Sequence, residues 1–464
     1  MINIYAGKLF DSEARQLVMN RVVTISPESG LIVDVQPYTL SDLQDVKFDG
    51  VNHIDLTSVT VLPGFVDAHV HFFLHPYSET SWEDQVTRES LAQRTIRATA
   101  HARRTLMAGF TTVRDLGTEG AEDADISLRA CLSGRNPIIP GPRYFCANRA
   151  IVTTGSYGPK NRLYPSRDGV QGITGAEMAD GVDECVKVVR RQVGAGADWI
   201  KVSLLQWPWT DYRFRANLAD VSPLVAGKSI ETFNAEELDA IVSTAHKLGV
   251  KVAAHTSGLS SWKELTGRHS NHQMDSVEHG QGAVDFKTSA EDDSNGSRTT
   301  WVPTLAAMYT LGQRNGAWDQ AVKTFQAALS VKDRNVKIAC GGDTGVFSHG
   351  ENALELKLMF RLGADWKDVV QWATVGGWEC VRSRHWEGKE GRERLAKVHK
   401  MADDIRVVGD NEMAFGIIRR GFSADIIATS GDLESNFEEA VDKESILFVM
   451  RSGRIYKQEG RDVW

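Results

Sequence analysis

A chain of 464 residues, 42% hydrophobic and 25% charged, has the make-up of an ordinary soluble globular protein with room for a large core or for two domains. Its net charge of −8 gives no electrostatic footprint for nucleic acid or an anionic membrane, which leaves a small-molecule partner as the expectation. Five scattered cysteines without CxxC spacing, and the lack of a basic leader or a membrane-length apolar run, predict a cytoplasmic protein with reduced thiols.

In chain order, the front carries short β runs, MINIYAGKLF, RVVTISPES and GLIVDVQPY, separated by turn residues. From Pro63 to Asp343, apolar strand-like runs alternate with amphipathic helical stretches, the pattern of parallel βα units. The candidate strands are VLPGFVDAH, TTVRDL, RYFCAN, ADWIKVSL, VKVAAHT, DSVEHG, TWVPTL and KIACGGD, and their number predicts an α/β protein built on a (β/α)8 TIM barrel. Between them, ECVKVVRRQVGAGADWIKV reads as a helix, a glycine-rich turn and a strand. FNAEELDAIVSTAHKLGVKV repeats the arrangement, with Asn234 as N-cap, Glu237 three residues on as in a capping box, and a stop at Gly249. The back returns to β runs, ADIIATSGD and ILFVMRSGRIYK. The two ends are predicted to meet in a small β-sandwich, residues 1–61 with 405–464, beside a barrel over 62–404.

Three stretches exceed what a minimal barrel needs. Residues 205–232 form a long aromatic-bearing loop after the fourth strand, where an active-site loop would lie. SAEDDSNGSRTT reads as a solvated turn, and RSRHWEGKEGRERLAKVHKMADD as a charged helical segment packed on the surface.

The chemistry starts with His69 and His71. Residues i and i+2 on a strand point the same way, and two neighbouring buried imidazoles repel if charged or need partners if neutral. A shared metal ion meets both demands, and a structural pair remains the alternative. Four more metal-competent residues fall at the C-terminal ends of later strands: Lys201, His255, His279 and Asp343. Each taken singly could be an ion-pair partner, a core histidine or a turn residue, but barrel enzymes place their chemistry at this edge.

The motifs PGFVDAHVH, AGFTTVRDLG, ADWIKV, VKVAAHTSG, DSVEHG and GGDTG, followed by HGENALEL, GFSADII and VMRSGRIY, resemble the amidohydrolase superfamily over nearly the whole chain. Within it, the sequence is most similar to the branch holding imidazolonepropionases, Xaa-Pro dipeptidases and ochratoxinase-like amidases. The resemblance implies that His69, His71 and Asp343 bind one divalent metal and His255 and His279 a second, bridged by Lys201 as an N6-carboxylated lysine. The donor set favours zinc. It further implies hydrolysis of an amide-type C–N bond in a dipeptide, an N-acyl amino acid or a cyclic amide by a metal-bridging hydroxide, with Asp343 as the catalytic proton carrier.

His349, six residues after Asp343, is the expected substrate contact on the loop after strand eight. Tyr157, in TTGSYGPKN, stands where the branch often has a histidine, and a phenol still donates to a carbonyl. Trp207 and Arg213, in the loop after strand four, are candidates for a binding wall and a carboxylate partner. A metal-dependent lyase or isomerase and a non-catalytic scaffold are the rival readings, and fold-level analogy allows a homo-oligomer.

Overall fold

The computed structural model describes residues 1–134, 136–156, 176–203, 232–256, 273–280, 299–312, 316–331, 337–404 and 411–464. The front of the chain supplies β1 (Ile2–Asp11), β2 (Gln16–Ile25), β3 (Ile32–Pro37) and β4 (His53–Pro63). The middle supplies β5 (Phe65–Val70), β6 (Phe110–Asp115), β7 (Arg143–Cys146), β8 (Ala150–Val152), β9 (Ala176–Met178), β10 (Trp199–Ser203), β11 (Lys251–Thr256), β12 (Ser276–His279), β13 (Thr300–Val302) and β14 (Lys337–Ile338). The back adds β15 (Ile426–Thr429), β16 (Ile446–Arg451), β17 (Arg454–Gln458) and β18 (Arg461–Asp462).

Both ends of the chain share one eight-stranded sheet, ordered β18-β17-β16-β15-β4-β1-β2-β3. The join is the antiparallel pairing of β15 with β4, in which Ile426 faces Pro63 and Thr429 faces Thr60. Ile4, Val23, Ile25, Ile54, Val61, Ile426, Phe448 and Met450 form its buried face. β-branched and aromatic residues suit that pleated, half-buried surface.

The middle strands pair in parallel in two sheets, β5-β6-β7 and β14-β13-β12-β11-β10-β8-β9. Near-continuous apolar runs are what strands covered on both faces require. Backbone hydrogen bonds link the two sheets at both margins. Asp198 N donates to Cys146 O on one side; Ala68 N donates to Cys340 O and Asp343 N to His69 O on the other. Helices cover the parallel strands: Leu91–Met107, Val182–Ala195, Ala235–Lys247 and Ala317–Ser330 each bury one face. The expected capping box is present, with Glu237 N donating to Asn234 Oδ1 at 3.0 Å and Asn234 N to Glu237 Oε2 at 2.8 Å. Gly196 and Gly249 end their helices with φ of 115° and 79°.

Two expectations are refined. VLPGFVDAH is two strands, because the chain passes from β4 to β5 at Gly64, where a Cβ would lie 2.1 Å from Thr111 Oγ1. The charged segment after Val381 forms short helices but is not merely superficial: Trp386 and Val398 are buried in a cluster with Trp378 and Phe422. All five cysteines are free. No helix among the described residues is long and apolar enough to cross a membrane.

Candidate metal centre

His69 ends the inward face of β5, and His71 follows the strand. Lys201 lies in β10, His255 in β11 and His279 at the end of β12, while Asp343 comes five residues after β14. Parallel pairing with Ser203 opposite His255, and His255 opposite Glu278, sets these strand ends side by side. The six residues therefore come together. Ring centroids are 5.3 Å apart for His69 and His71, 5.1 Å for His69 and His279, and 4.5 Å for His255 and His279. Asp343 Oδ1 stands 3.3 Å from His71 Nε2 and 3.5 Å from His69 Nε2.

Each of three rings has its Nδ1 committed elsewhere. His69 Nδ1 donates to Glu278 Oε2 at 2.8 Å, His71 Nδ1 to Gly117 O at 2.8 Å, and His279 Nδ1 is hydrogen-bonded to Thr304 Oγ1 at 2.7 Å. Fixing Nδ1 leaves Nε2 as the atom each ring offers a metal. The buried Nε2 of His69 has no hydrogen-bond partner among the described residues. Ligand atoms of His69, His279 and Asp343 lie within 4.8 Å of one another. An orphaned imidazole nitrogen beside a carboxylate and a second imidazole fits a divalent cation, whose charge offsets the cost of burying those donors.

Burial dominates the electrostatics. It lowers the His69 and His279 imidazoles well below their usual range and brings His255 down to about 3, so the rings are neutral donors. Burial also brings the Lys201 amine down to about 8, against the opposing pull of Glu278 and Asp343, and lifts the Asp343 carboxyl to about 6.

The backbone is bent to serve the site. His279 and Asp343 have φ of 66° and 63°, a left-handed conformation unusual outside glycine and met at functional sites. The glycines of GGDTG allow the close approach: a Cβ on Gly341 would lie 2.9 Å from His69 N, and one on Gly345 3.1 Å from His71 O.

Sequence reasoning missed Glu278, Arg114, Asp67 and Thr304. Arg114 Nη2 and Ser276 Oγ donate to Glu278 Oε1 at 2.8 and 2.6 Å, holding the carboxylate that orients His69. Asp67 accepts from His69 N and Gly342 N through Oδ1. A signal existed for two of them: Asp67 shares a strand face with His69, and Glu278 one with Ser276. Glu119, also missed, is a buried carboxylate after β6 that accepts from Trp82 Nε1 at 3.2 Å.

His349 is buried beyond the imidazole cluster. Its Nε2 donates to Leu74 O at 2.8 Å, and its ring stacks on His101 at 4.1 Å between centroids. Tyr157, Trp207 and Arg213 lie outside the described residues.

The model of the amidohydrolase family matches residues 60–385. Ochratoxinase from Aspergillus niger is 24% identical over 436 residues, covering 87% of this chain and 77% of that protein. Among solved structures, a Xaa-Pro dipeptidase with methionine bound in its active site has a TM-score of 0.73 at 25% identity, covering 98% of this chain and 99% of the other. The A. niger ochratoxinase structure has a TM-score of 0.73 at 20% identity over 98% of this chain and 95% of its own, a likeness in fold.

Proposed function

The chain belongs to the amidohydrolase family, and from that premise we propose that it is a binuclear metal-dependent hydrolase cleaving an amide-type C–N bond in a small molecule. The observation that carries the reading is the convergence of His69, His279 and Asp343, with His69 Nε2 left for a ligand by its Nδ1 bond to Glu278. The proposed fold beneath it is a closed (β/α)8 barrel over residues 62–404, flanked by a β-sandwich of 1–61 and 405–464. The hydrogen bonds at both margins of the parallel sheets support closure.

His69, His71 and Asp343 would hold one divalent ion, zinc by the chemistry of its donors, and His255 and His279 a second, with carboxylated Lys201 between them. Bound there, such ions supply Lewis acidity toward a carbonyl and lower the pKa of water. The protein's own residues do the rest. A buried amine near pKa 8 has an appreciable unprotonated fraction at neutral pH; Lys201 Nζ forms a bond to the carbon of carbon dioxide and releases one proton. The Asp343 carboxyl, near 6, is poised to take a proton from the attacking water and return it to the leaving nitrogen. Glu278 keeps the His69 proton on Nδ1, and Thr304 holds the Nδ1 side of the His279 ring in place.

The substrate class is a dipeptide, an N-acyl amino acid or a cyclic amide. The relatives' names, Xaa-Pro dipeptidase and ochratoxinase, support the first two. Arg213 would receive a substrate carboxylate, and His349, Tyr157 and Trp207 would line its pocket.

Elemental analysis of protein purified without chelator tests the centre. About two metals per chain are expected, falling sharply in Lys201→Ala. One metal indifferent to Lys201, or none, would defeat the binuclear reading. A panel of the three amide classes, scored by released amine, then tests the reaction.

A further inference from the structure

The motif HGENALEL contributes His349 to the candidates above, but its other polar residues have no role in the proposed chemistry. Three of its side chains, His349, Asn352 and Glu355, recur every three residues and are all buried. Glu355 lies in the first turn of helix Ala353–Arg361, Asn352 is its N-cap, and His349 sits in the turn just before it.

Each side chain ties down a different backbone segment. His349 Nε2 donates to Leu74 O, three residues after His71. Asn352 Nδ2 donates to Asp67 Oδ2 at 2.7 Å, and the other oxygen of Asp67 accepts from His69 N at 3.0 Å and Gly342 N at 3.2 Å. Glu355 Oε2 accepts from Ala306 N at 2.7 Å. Ala306 lies two residues after Thr304, whose hydroxyl holds His279 Nδ1 and whose φ is 51°. That turn has no other side-chain cap at Thr304.

We infer that His349, Asn352 and Glu355 form one positioning ladder, in which Asn352 fixes His69 and Asp343 through Asp67, and Glu355 fixes His279 through the Thr304 turn. The inference rests on the metal-centre reading above. A glutamate is a poor choice for mere packing here: Glu355 is 1% exposed, and its second oxygen, Oε1, has no hydrogen-bond partner among the described residues. Burial lifts its carboxyl to about 8, so near neutrality the group is largely the uncharged acid, which glutamine imitates in shape and in keeping an acceptor.

The test is titration of metal-free protein with Co2+, followed by its visible absorption, in wild type, Glu355→Gln, Glu355→Leu, Thr304→Val and the Glu355→Leu/Thr304→Val pair. Glu355→Leu is expected to weaken Co2+ binding by about 10–100-fold and to alter the absorption band, the range seen for groups that orient metal ligands. Glu355→Gln restores affinity to within about threefold of wild type, and the double variant is no worse than the weaker single one, because both act on one ring. Effects that multiply in the double variant, or a Glu355→Gln as weak as Glu355→Leu, would overturn the inference. Should Glu355→Leu fail to fold, Thr304→Val and Glu355→Gln still decide it: loss of affinity in the first with retention in the second upholds it, and unchanged affinity in Thr304→Val sinks it. Wild-type protein that binds no Co2+ instead removes the metal centre, and the ladder's purpose with it.

Discussion

Two buried lysines on neighbouring parallel strands, Lys201 in β10 and Lys251 in β11, have opposite surroundings. Burial lowers both amines. Lys251, at the start of its strand, is held as a cation: its Nζ is 2.9 Å from Glu387 Oε1, donates to Cys380 O at 3.1 Å, and lies 5.6 Å from the centre of the Trp199 ring. Lys201 sits among imidazoles; Glu278 and Asp343 act on its charge, but neither forms a salt bridge with it among the described residues. What differs is whether a carboxylate is close enough to keep the proton on.

The largest effect is expected at the carboxylate beside the imidazoles on the site side. Asp343→Asn should lower kcat by about 10²–10⁴-fold, the usual scale for a lost proton carrier. Steady-state rates on the best amide substrate measure it, and a variant within tenfold of wild type would strip Asp343 of the role.

Exchanging the lysines sharpens it further. Lys251→Ala leaves Glu387 with Arg382 alone, at 3.0 Å, and should cost about 3 kcal/mol of stability in denaturant unfolding, with metal content unchanged. Lys201→Ala should do the reverse, losing metal while, with both proteins compared metal-free, unfolding at nearly the wild-type denaturant concentration. A common pattern in the two variants would mean that both lysines are structural.

A smaller effect is expected in the pH dependence of carbon dioxide uptake. With an amine near 8, the unprotonated fraction of Lys201 in metal-free protein rises roughly fivefold from pH 7 to pH 8. The rate at which bicarbonate and metal together restore activity should climb with it. A flat profile would show that the Lys201 amine does not limit assembly.

The mildest effect lies at the other end of the strands. Burial works against ionisation of Glu387, but Lys251 and Arg382 outweigh it and bring the carboxyl down to about 2. Its folded value is below the unfolded one, so its contribution is complete above about pH 4.5 and is lost as pH falls toward 2. Glu387→Gln should flatten that part of the acid unfolding curve, and an unchanged curve would place the acid sensitivity elsewhere.

What could be read from residues alone follows the same divide between local and distant. The parallel strands announce themselves as apolar runs, and His69, His71, Lys201, His255, His279 and Asp343 lie within or just after them toward their C-terminal ends, so strand polarity pointed to one edge for all six. The helix from Ala235 was legible because its capping box is a contact within four residues. Glu278 was harder. Its meaning depends on His69, 209 residues away, and on Arg114, 164 residues away. Ala306 and Glu355, 49 residues apart, meet only when the helix after Asp343 docks. The break at Gly64 was hidden for another reason, since an unbroken apolar run gives no sign that its two halves join different sheets.

The pairing of β15 with β4 has a consequence for how the chain is made. β4 is synthesised early, yet its neighbour β15 begins at Ile426, after every residue of the metal centre has emerged. Until then one margin of β4 stands open, an apolar strand of the kind that recruits the wrong partner. The sheet that carries both ends of the barrel segment is therefore completed only by residues that follow the whole candidate centre in the chain, so the centre's strands and this sheet cannot be finished independently of one another.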